Sequence, residues 1–364
     1  MKTSKWVPVF CVLILLSTPA IATEFVVDPG GSGDALTIQA GLDLASAGDL
    51  VTVLAGTYAE NITMVNGVEL VSASGSGSTF IDGKGDICIN CEQCGLGTRI
   101  SGFTLTNGGG YTGCGVRVFD HSSVEIDNNN FLENHADFEG AGITVQRYSS
   151  ASIHHNQFIR NTSFKTCAIT VIVGSQATIT NNFFKGNIST DYAGVIGANN
   201  SNVIIEWNRI VENRSGSYAG TIDIVLSFCQ LRNNTFIRNL APIGGSCLRD
   251  GGWSIITVAN NLFAHNGGGG PAIKAEDCQN FSCNIFWDNG IDYSGDCNPI
   301  GQNNNAHISA LVCNPSEDSC AVSEFSPCLG GPCGLIGVNP TPDCTDDVVS
   351  VETESWGSLK SLFR

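Results

Sequence analysis

Two arginines, Arg117 and Arg249, and two tyrosines, Tyr192 and Tyr218, stand at matched places in a chain that repeats itself. A guanidinium group holds a carboxylate through paired N–H donors. A tyrosine ring offers a flat apolar face and a hydroxyl, which together suit a sugar ring. Asp137 and Glu139 flank Phe138 in a segment of the same kind. Their oxygens would suit Ca²⁺ only if further oxygens converged on them, because that ion takes six to eight. Arg117, Arg249, Tyr192, Tyr218, Asp137 and Glu139 therefore form the candidate ligand-binding set, and no residue is assigned a catalytic role. No metal site is assigned either. His154 and His155 are neighbours in a strand-like run, where adjacent side chains leave on opposite faces. Cys88, Cys91 and Cys94 form a C-x2-C-x2-C run with no fourth ligand at a useful spacing.

What must position these groups is a short pattern: apolar, two variable residues, Asn, one variable, Phe or Ile, two variable, Asn. It reads IDNNNFLEN at Ile126–Asn134, IHHNQFIRN at Ile153–Asn161 and ITNNFFKGN at Ile179–Asn187. Four more copies run to Asn289, and a degenerate one starts at Ile100. The large apolar position recurs at Leu105, Phe131, Phe158, Phe184, Ile210, Phe236, Phe263 and Phe286. The interval holds constant to within a single position until the last step, which is shorter. A period of about 26 residues falls in the range of solenoid repeats. A serine column (Ser122, Ser149, Ser175, Ser201, Ser227, Ser254) keeps the same register. Each unit holds three short runs of alternating apolar and variable residues, separated by Gly, Asn and Ser. No helical periodicity or leucine skeleton is present, and a propeller blade needs about 40 residues. The pattern predicts an all-β, right-handed, single-stranded parallel β-helix, one strand triplet per turn, with inward residues stacked at about 4.8 Å.

The repeat accounts for much of its own polarity. An Asn at a bend tolerates positive φ and can bond the same Asn one turn away. Asn129, Asn156, Asn182, Asn208, Asn234, Asn261 and Asn284 are read as such a structural ladder, with a second column from Asn134 to Asn289. Aligning the coils on their Asn columns puts Arg117, Thr144, Thr170, Ile196, Ile222 and Arg249 outward on the first strand of each turn. The loops before it carry Asp137, Glu139, Lys165, Asp191, Tyr192 and Tyr218. Cys88 and Cys114, one repeat apart in a single column, would lie on adjacent turns within disulfide reach.

The chain has 364 residues, of which 14% are charged and 43 are glycine, with a formal charge of −17. Such a balance disfavours nucleic acid, whose phosphates need a basic face. Residues 1–22 have Lys2 and Lys5, an apolar run from Trp6 to Leu16 and an Ala20-Ile21-Ala22 site. These are the parts of a secretory signal peptide, with cleavage expected after Ala22 and a secreted or cell-surface destination. No later stretch is long enough to span a membrane. Of 16 cysteines, Cys11 lies in the signal; the odd number left implies disulfides and at least one unpaired thiol in an oxidising compartment. Residues 23–60 read as an N-terminal cap with the first strands, including an amphipathic helix over Leu36–Ala47. The coils occupy 61–300, a Cys-rich C-terminal cap 301–345, and a mobile tail 346–364. A monomer is expected.

The run TIQAGLDLASAGDLVTVLAGTYAENITM (Thr37–Met64), followed by stacked I-x-x-N-x-F units, resembles right-handed β-helix proteins of the pectin lyase-like superfamily, over about residues 24–300. The C-terminal cysteine-rich segment is similar to the ending of many exported bacterial β-helix proteins. The resemblance implies a carbohydrate-facing scaffold and a polysaccharide or cell-surface partner. It does not choose a reaction, since one fold hosts many. Its enzyme signatures are missing: no N-T-D, Gly-His-Gly or Asp-Asp pair inside a coil, no D-F-I-F-G, no D-P-H-D. Ala272-Ile273-Lys274 and Phe119-Asp120-His121 are only partial matches to R-I-K and W-I-D-H. Three readings follow: a binder without catalysis, a polysaccharide lyase or related enzyme acting on acidic glycans, and a purely structural surface protein. No cofactor is expected in the first and third, and Ca²⁺ only in the lyase reading. Apolar Ile196 and Ile222 at the centre of the outward column leave no proton-transfer group there, which favours the binder.

Overall fold

A computed structural model describes residues 22–191, 194–216, 220–296, 298–312, 322 and 326–338. Tyr192, Tyr218, all of the expected signal peptide but Ala22, and the tail lie outside them. Three short strands recur in each turn, as at Val116–Phe119, Ser123–Asp127 and Asn130–Leu132. Each pairs in parallel with its counterpart one turn away. The result is a parallel β-solenoid with three long sheets. The first sheet has ten strands, from Ile62–Thr63 to Tyr293–Ser294. The second has eleven, from Glu24–Val27 to Phe281–Ser282, and the third eleven, from Gly56–Tyr58 to Ala306–His307.

Alternation fixes the interior. In Ser123–Asp127, Val124 and Ile126 are buried while Glu125 is exposed, and the same parity recurs down the sheet. Phe131, Phe158 and Phe184 stack with centroids 4.7 and 4.8 Å apart, and Phe236, Phe263 and Phe286 with centroids 5.0 Å apart. Ile210 occupies the gap between the two stacks. A side chain repeated every turn thus buries itself against its own copies.

The bends are built differently from the expectation in one respect. The left-handed residue is the one before each ladder asparagine: Asn128, His155, Asn181, Trp207, Asn233 and Asn260 all have φ between 54° and 59°. The ladder asparagine that follows is buried and pairs with both neighbours. Asn156 Nδ2 donates to Asn182 Oδ1 at 3.1 Å, and the Asn156 backbone N–H donates to the same oxygen at 2.9 Å. The second column does the same, as Asn161 N–H does to Asn187 Oδ1 at 3.0 Å. Serine makes a third ladder: Ser122 N–H donates to Ser149 Oγ at 3.1 Å, and Ser149 N–H to Ser175 Oγ at 3.2 Å.

The helix spans Ile38–Leu44, shorter than expected, because Thr37 caps it by accepting from Ala40 N–H and Ala45 is already extended. Ile38 and Leu42 are buried. Gly41 lets the helix approach the first strands closely, since a Cβ there would lie 2.5 Å from Val27 Cγ2. At the other end, the described part of the Cys-rich segment lies along the outside of the third sheet. Cys328 and Ile336 pack with Val211, Ile237, Leu262 and Ile285, and a Cys283–Cys333 disulfide fastens the segment. Gly337 N–H donates to Asn260 O at 2.9 Å.

The expected Cys88–Cys114 bridge is not formed. The two residues do sit on adjacent turns, with Cys88 N–H bonded to Cys114 O at 2.8 Å, but both are buried free thiols. Their Sγ atoms are directed to different carbonyls, Thr106 O and Gly110 O, at 3.6 Å each. Burial pushes both thiols up to about 12, which keeps them protonated and unreactive.

Candidate functional site

The outward column of the first sheet runs Asn90, Arg117, Thr144, Thr170, Gly197, Asp223, Arg249, Lys274, Ser294. Ile196 and Ile222 are not in it: both face the interior and are 0% exposed. The expectation fails there for a local reason. After Ile196–Asn199 and Ile222–Val225 the turn into the second sheet has one left-handed residue, Asn200 or Leu226. Earlier turns have two, Asp120 with His121 and Arg147 with Tyr148. The shortened turn slides the preceding strand by one residue against the Asn columns, and a one-residue slip exchanges the two faces. The centre of the column therefore holds a carboxylate, contrary to the expected lack of any proton-transfer group.

Asp223 is only 8% exposed and pairs with Arg249, Nη1 to Oδ1 3.0 Å. Burial raises its pKa, the Arg249 charge and hydrogen bond pull it down, Asp250 raises it and Lys165 lowers it, and the net direction is upward. Arg249 is thus a partner of an acid on the next turn. Arg117 instead donates from Nε to Asn90 Oδ1 at 2.8 Å and lies 5.4 Å from the Phe119 ring centroid. The two arginines are five rungs apart, so at about 4.8 Å per rung they cannot meet.

Thr144 and Thr170, between them, are roofed. Both are buried, and their Oγ1 atoms have no hydrogen-bond partner. The roof is made by the loops that enter the first sheet, which are themselves stacked. His135–Ala136, Thr162–Ser163 and Ile188–Ser189 form a small parallel sheet. Beyond it, Asp137 N–H bonds Gly110 O at 2.9 Å, Lys165 N–H bonds Phe138 O at 2.7 Å and Asp191 N–H bonds Phe164 O at 2.9 Å. Gly140, with φ 70°, lies so close to Thr144 that a Cβ would sit 1.9 Å from its Oγ1. Likewise, Thr166 covers Gly197.

Stacked loops stack their side chains. Tyr111 and Phe138 lie face to face with centroids 4.9 Å apart, and Phe138 and Phe164 follow at 6.2 Å. Lys165 Nζ stands 4.3 Å from the Phe138 centroid. Tyr111 and Phe164 are exposed. Sequence reasoning misses this ladder, although its members recur with the period of the coils. Beside it, burial raises the pKa of Glu139, and Lys165 partly offsets the shift. Asp137 is exposed and leans to His135, 3.8 Å away. The two carboxylates expected to act together therefore face different neighbours. Among the described residues no group of three or more His, Cys, Asp or Glu side chains is placed to hold a metal ion. Nor is any described helix long and apolar enough to cross a membrane.

No family model matches the chain, and no curated protein matches it. Among solved structures it aligns with the crystal structure of pectate lyase Pel9A at a TM-score of 0.46 and 13% sequence identity, over 88% of this chain and 98% of that one. The solenoid itself rests on the strand pairing described above.

Proposed function

We propose that this is an exported protein that binds an acidic glycan across the stacked loops on its first sheet. The observation that carries the reading is the Tyr111–Phe138–Phe164 ladder, exposed at its two end rings, with Lys165 set over the half-buried middle one. Sugar rings present C–H faces that lie on aromatic rings, and the ammonium group supplies the charge a uronate carboxylate needs. Loops stacked in register repeat at about 4.8 Å, which lets successive sugars of one chain meet successive rungs. Arg117 lies on the sheet the same loops enter.

A second reading, bond cleavage, is favoured by two carboxyl groups with raised pKa, Glu139 and Asp223, both under the influence of Lys165. A group displaced toward neutrality by burial is suited to general acid–base work. Calorimetric titration with tri- to hexagalacturonate, with and without calcium, tests both. The binder reading expects affinity that falls at least tenfold in Tyr111→Ala with Phe164→Ala and no release of unsaturated product. Ultraviolet-absorbing product that disappears in Glu139→Gln would establish the lyase. Wild-type protein that neither binds nor cleaves the oligomers would refute both.

A further inference from the structure

His154 and His155 stand where a strand of the second sheet ends and the chain bends toward the third. Alternation within a strand would send their rings to opposite faces, but the strand Ser150–His154 stops at the first of them. His155 has φ 57°, a left-handed conformation that turns its side chain back beside its neighbour. The two Nδ1 atoms lie 3.0 Å apart, with the ring planes at 90° and the centroids separated by 5.2 Å. Adjacent turns hold this bend from both sides. Asn128 N–H donates to His154 O and His155 N–H to Thr180 O, at 3.3 Å each, and Asn156 Nδ2 donates to His154 O at 3.0 Å.

A third group decides where the hydrogens of the pair sit. His154 Nε2 lies 3.0 Å from Oε1 of Glu125, which is on the preceding turn. An ionised carboxylate only accepts, so Nε2 carries the hydrogen and Nδ1 of a neutral His154 ring keeps its lone pair. The hydrogen between the rings therefore belongs to His155 Nδ1. His155 is exposed, and moving that hydrogen to its own Nε2 through water frees a second lone pair with no net loss of a proton. Metal–nitrogen bonds of about 2.0–2.1 Å, meeting at about 90–109°, put two ligating nitrogens about 2.9–3.4 Å apart. The separation here falls in that range, so the change asked of the rings is a turn that aims both lone pairs at one ion. A carboxylate behind a ligating histidine holds the ring and raises its basicity. Arg99 Nε also approaches Glu125 Oε1, but at 3.9 Å it does not displace the histidine as hydrogen-bond partner. Asp127, which pairs in register with His154, is committed to Arg99 Nη2 at 2.7 Å and Ser101 Oγ at 3.0 Å. Two imidazoles suit copper(II), nickel(II) or zinc and leave the remaining positions to water, whereas Ca²⁺ and Mg²⁺ take oxygens.

We infer that His154 and His155 form a two-imidazole site for a late first-row divalent metal ion, with Glu125 as its positioning residue. The site is independent of the acidic-glycan reading of the first sheet. The test titrates the full chain with copper(II), followed by electron paramagnetic resonance, with zinc as competitor. One equivalent should bind with coupling to two nitrogens, and zinc should displace it. The variants borrow residues from the same columns so that the bend is kept: Asn128 and Asn181 stand at the His155 position in the adjacent turns, and Thr180 at that of His154 in the next. His155→Asn and His154→Thr should each weaken binding about tenfold or more and remove one nitrogen coupling. Glu125→Ala should weaken it about tenfold with both couplings retained, which separates positioning from ligation. His265→Ala, a histidine paired with Asp288 on another bend, should change nothing. The inference falls if the chain takes up no copper, or if the wild-type signal shows coupling to fewer than two nitrogens. Binding that persists undiminished in the combined His154→Thr and His155→Asn variant would place the ion elsewhere and overturn it as well.

Discussion

Replacing Asn182 by alanine isolates what one ladder residue does. Its Oδ1 accepts from Asn156 N–H at 2.9 Å and Asn156 Nδ2 at 3.1 Å, and its Nδ2 donates to Ile153 O at 2.9 Å and Asn208 Oδ1 at 3.1 Å. Alanine removes all four bonds, but the losses are unequal. Asn156 Nδ2 still has Ile126 O at 2.8 Å, and Asn208 Oδ1 still accepts the residue 182 N–H at 2.9 Å. The Ile153 carbonyl lies within a strand paired in parallel with Gln176–Thr180 and keeps its place in that ladder, so the Asn156 backbone N–H is the group left without its partner. At about 1–3 kcal/mol for a buried polar group left unsatisfied, the expected loss is about 1–3 kcal/mol. The neighbouring Asn181 supplies the control: it is exposed with φ 56°, so Asn181→Gly keeps the bend and should stay within about 0.5 kcal/mol of wild type. Urea denaturation followed by circular dichroism gives both midpoints, compared at unchanged m. Equal midpoints for wild type and Asn182→Ala, or a larger loss for Asn181→Gly, would refute the ladder as a source of stability.

Three further outcomes are expected. Ile222→Ala should cost about 2–5 kcal/mol, through the cavity it leaves among inward residues, whereas an outward isoleucine would give a change near zero in the same denaturation experiment. Asp223 has a folded-state pKa above its unfolded one, so the native protein holds the extra proton between those two values, and stability falls as pH rises through that window. Asp223→Asn should flatten this part of a melting-temperature profile against pH; a slope identical to wild type would assign the effect to another group, with Glu139 next in line. Non-reducing peptide mapping should recover Cys283 linked to Cys333, and Cys88 and Cys114 as thiols alkylated only after unfolding; a Cys88–Cys114 peptide would contradict the geometry.

The parts of the fold that repeat are legible in the sequence, because stacking turns identical positions into contacts. A Phe placed once per turn has one stable place, against the Phe before and after it, and a buried Asn has one set of partners. The reading departs from the structure where the count changes inside a turn. The distance between Asn columns stays nearly constant through Ile196 and Ile222, so no length signal betrays that a residue has left one bend and been restored in the loop before. Composition does carry a hint: Ile196-Gly197-Ala198 and Ile222-Asp223-Ile224 alternate with the apolar residues first, and the buried parity follows those residues instead of the columns. Similarly, Tyr111, Phe138 and Phe164 are separated by the coil period, but in segments whose other positions vary. Pairing of the loops, which composition does not report, is what makes their spacing matter.

The slip also bears on where chemistry can sit in such a molecule. A solenoid in perfect register repeats every outward side chain, and a column of identical groups offers binding but no asymmetry. Proton transfer needs an acid and a base in unlike surroundings. Gly197 and Asp223 break the run of threonines in the outward column just where the bends shorten, and Arg249 follows on the next turn. One residue removed from two bends thus exchanges two isoleucines for a glycine and a partly shielded carboxylate. Inserting one glycine after Leu226 and deleting one residue from the preceding loop gives this bend the two positions of the earlier turns and sets Asp223 at the spacing from Ser227 that Arg117 has from Ser122, so Ile222 should stay inside and Asp223 outside beside Arg249, with stability near wild type. A loss of several kcal/mol, the cost of placing the carboxylate inside and away from Arg249, would mean that the distance to the Asn columns, and not the length of the bend, sets the register.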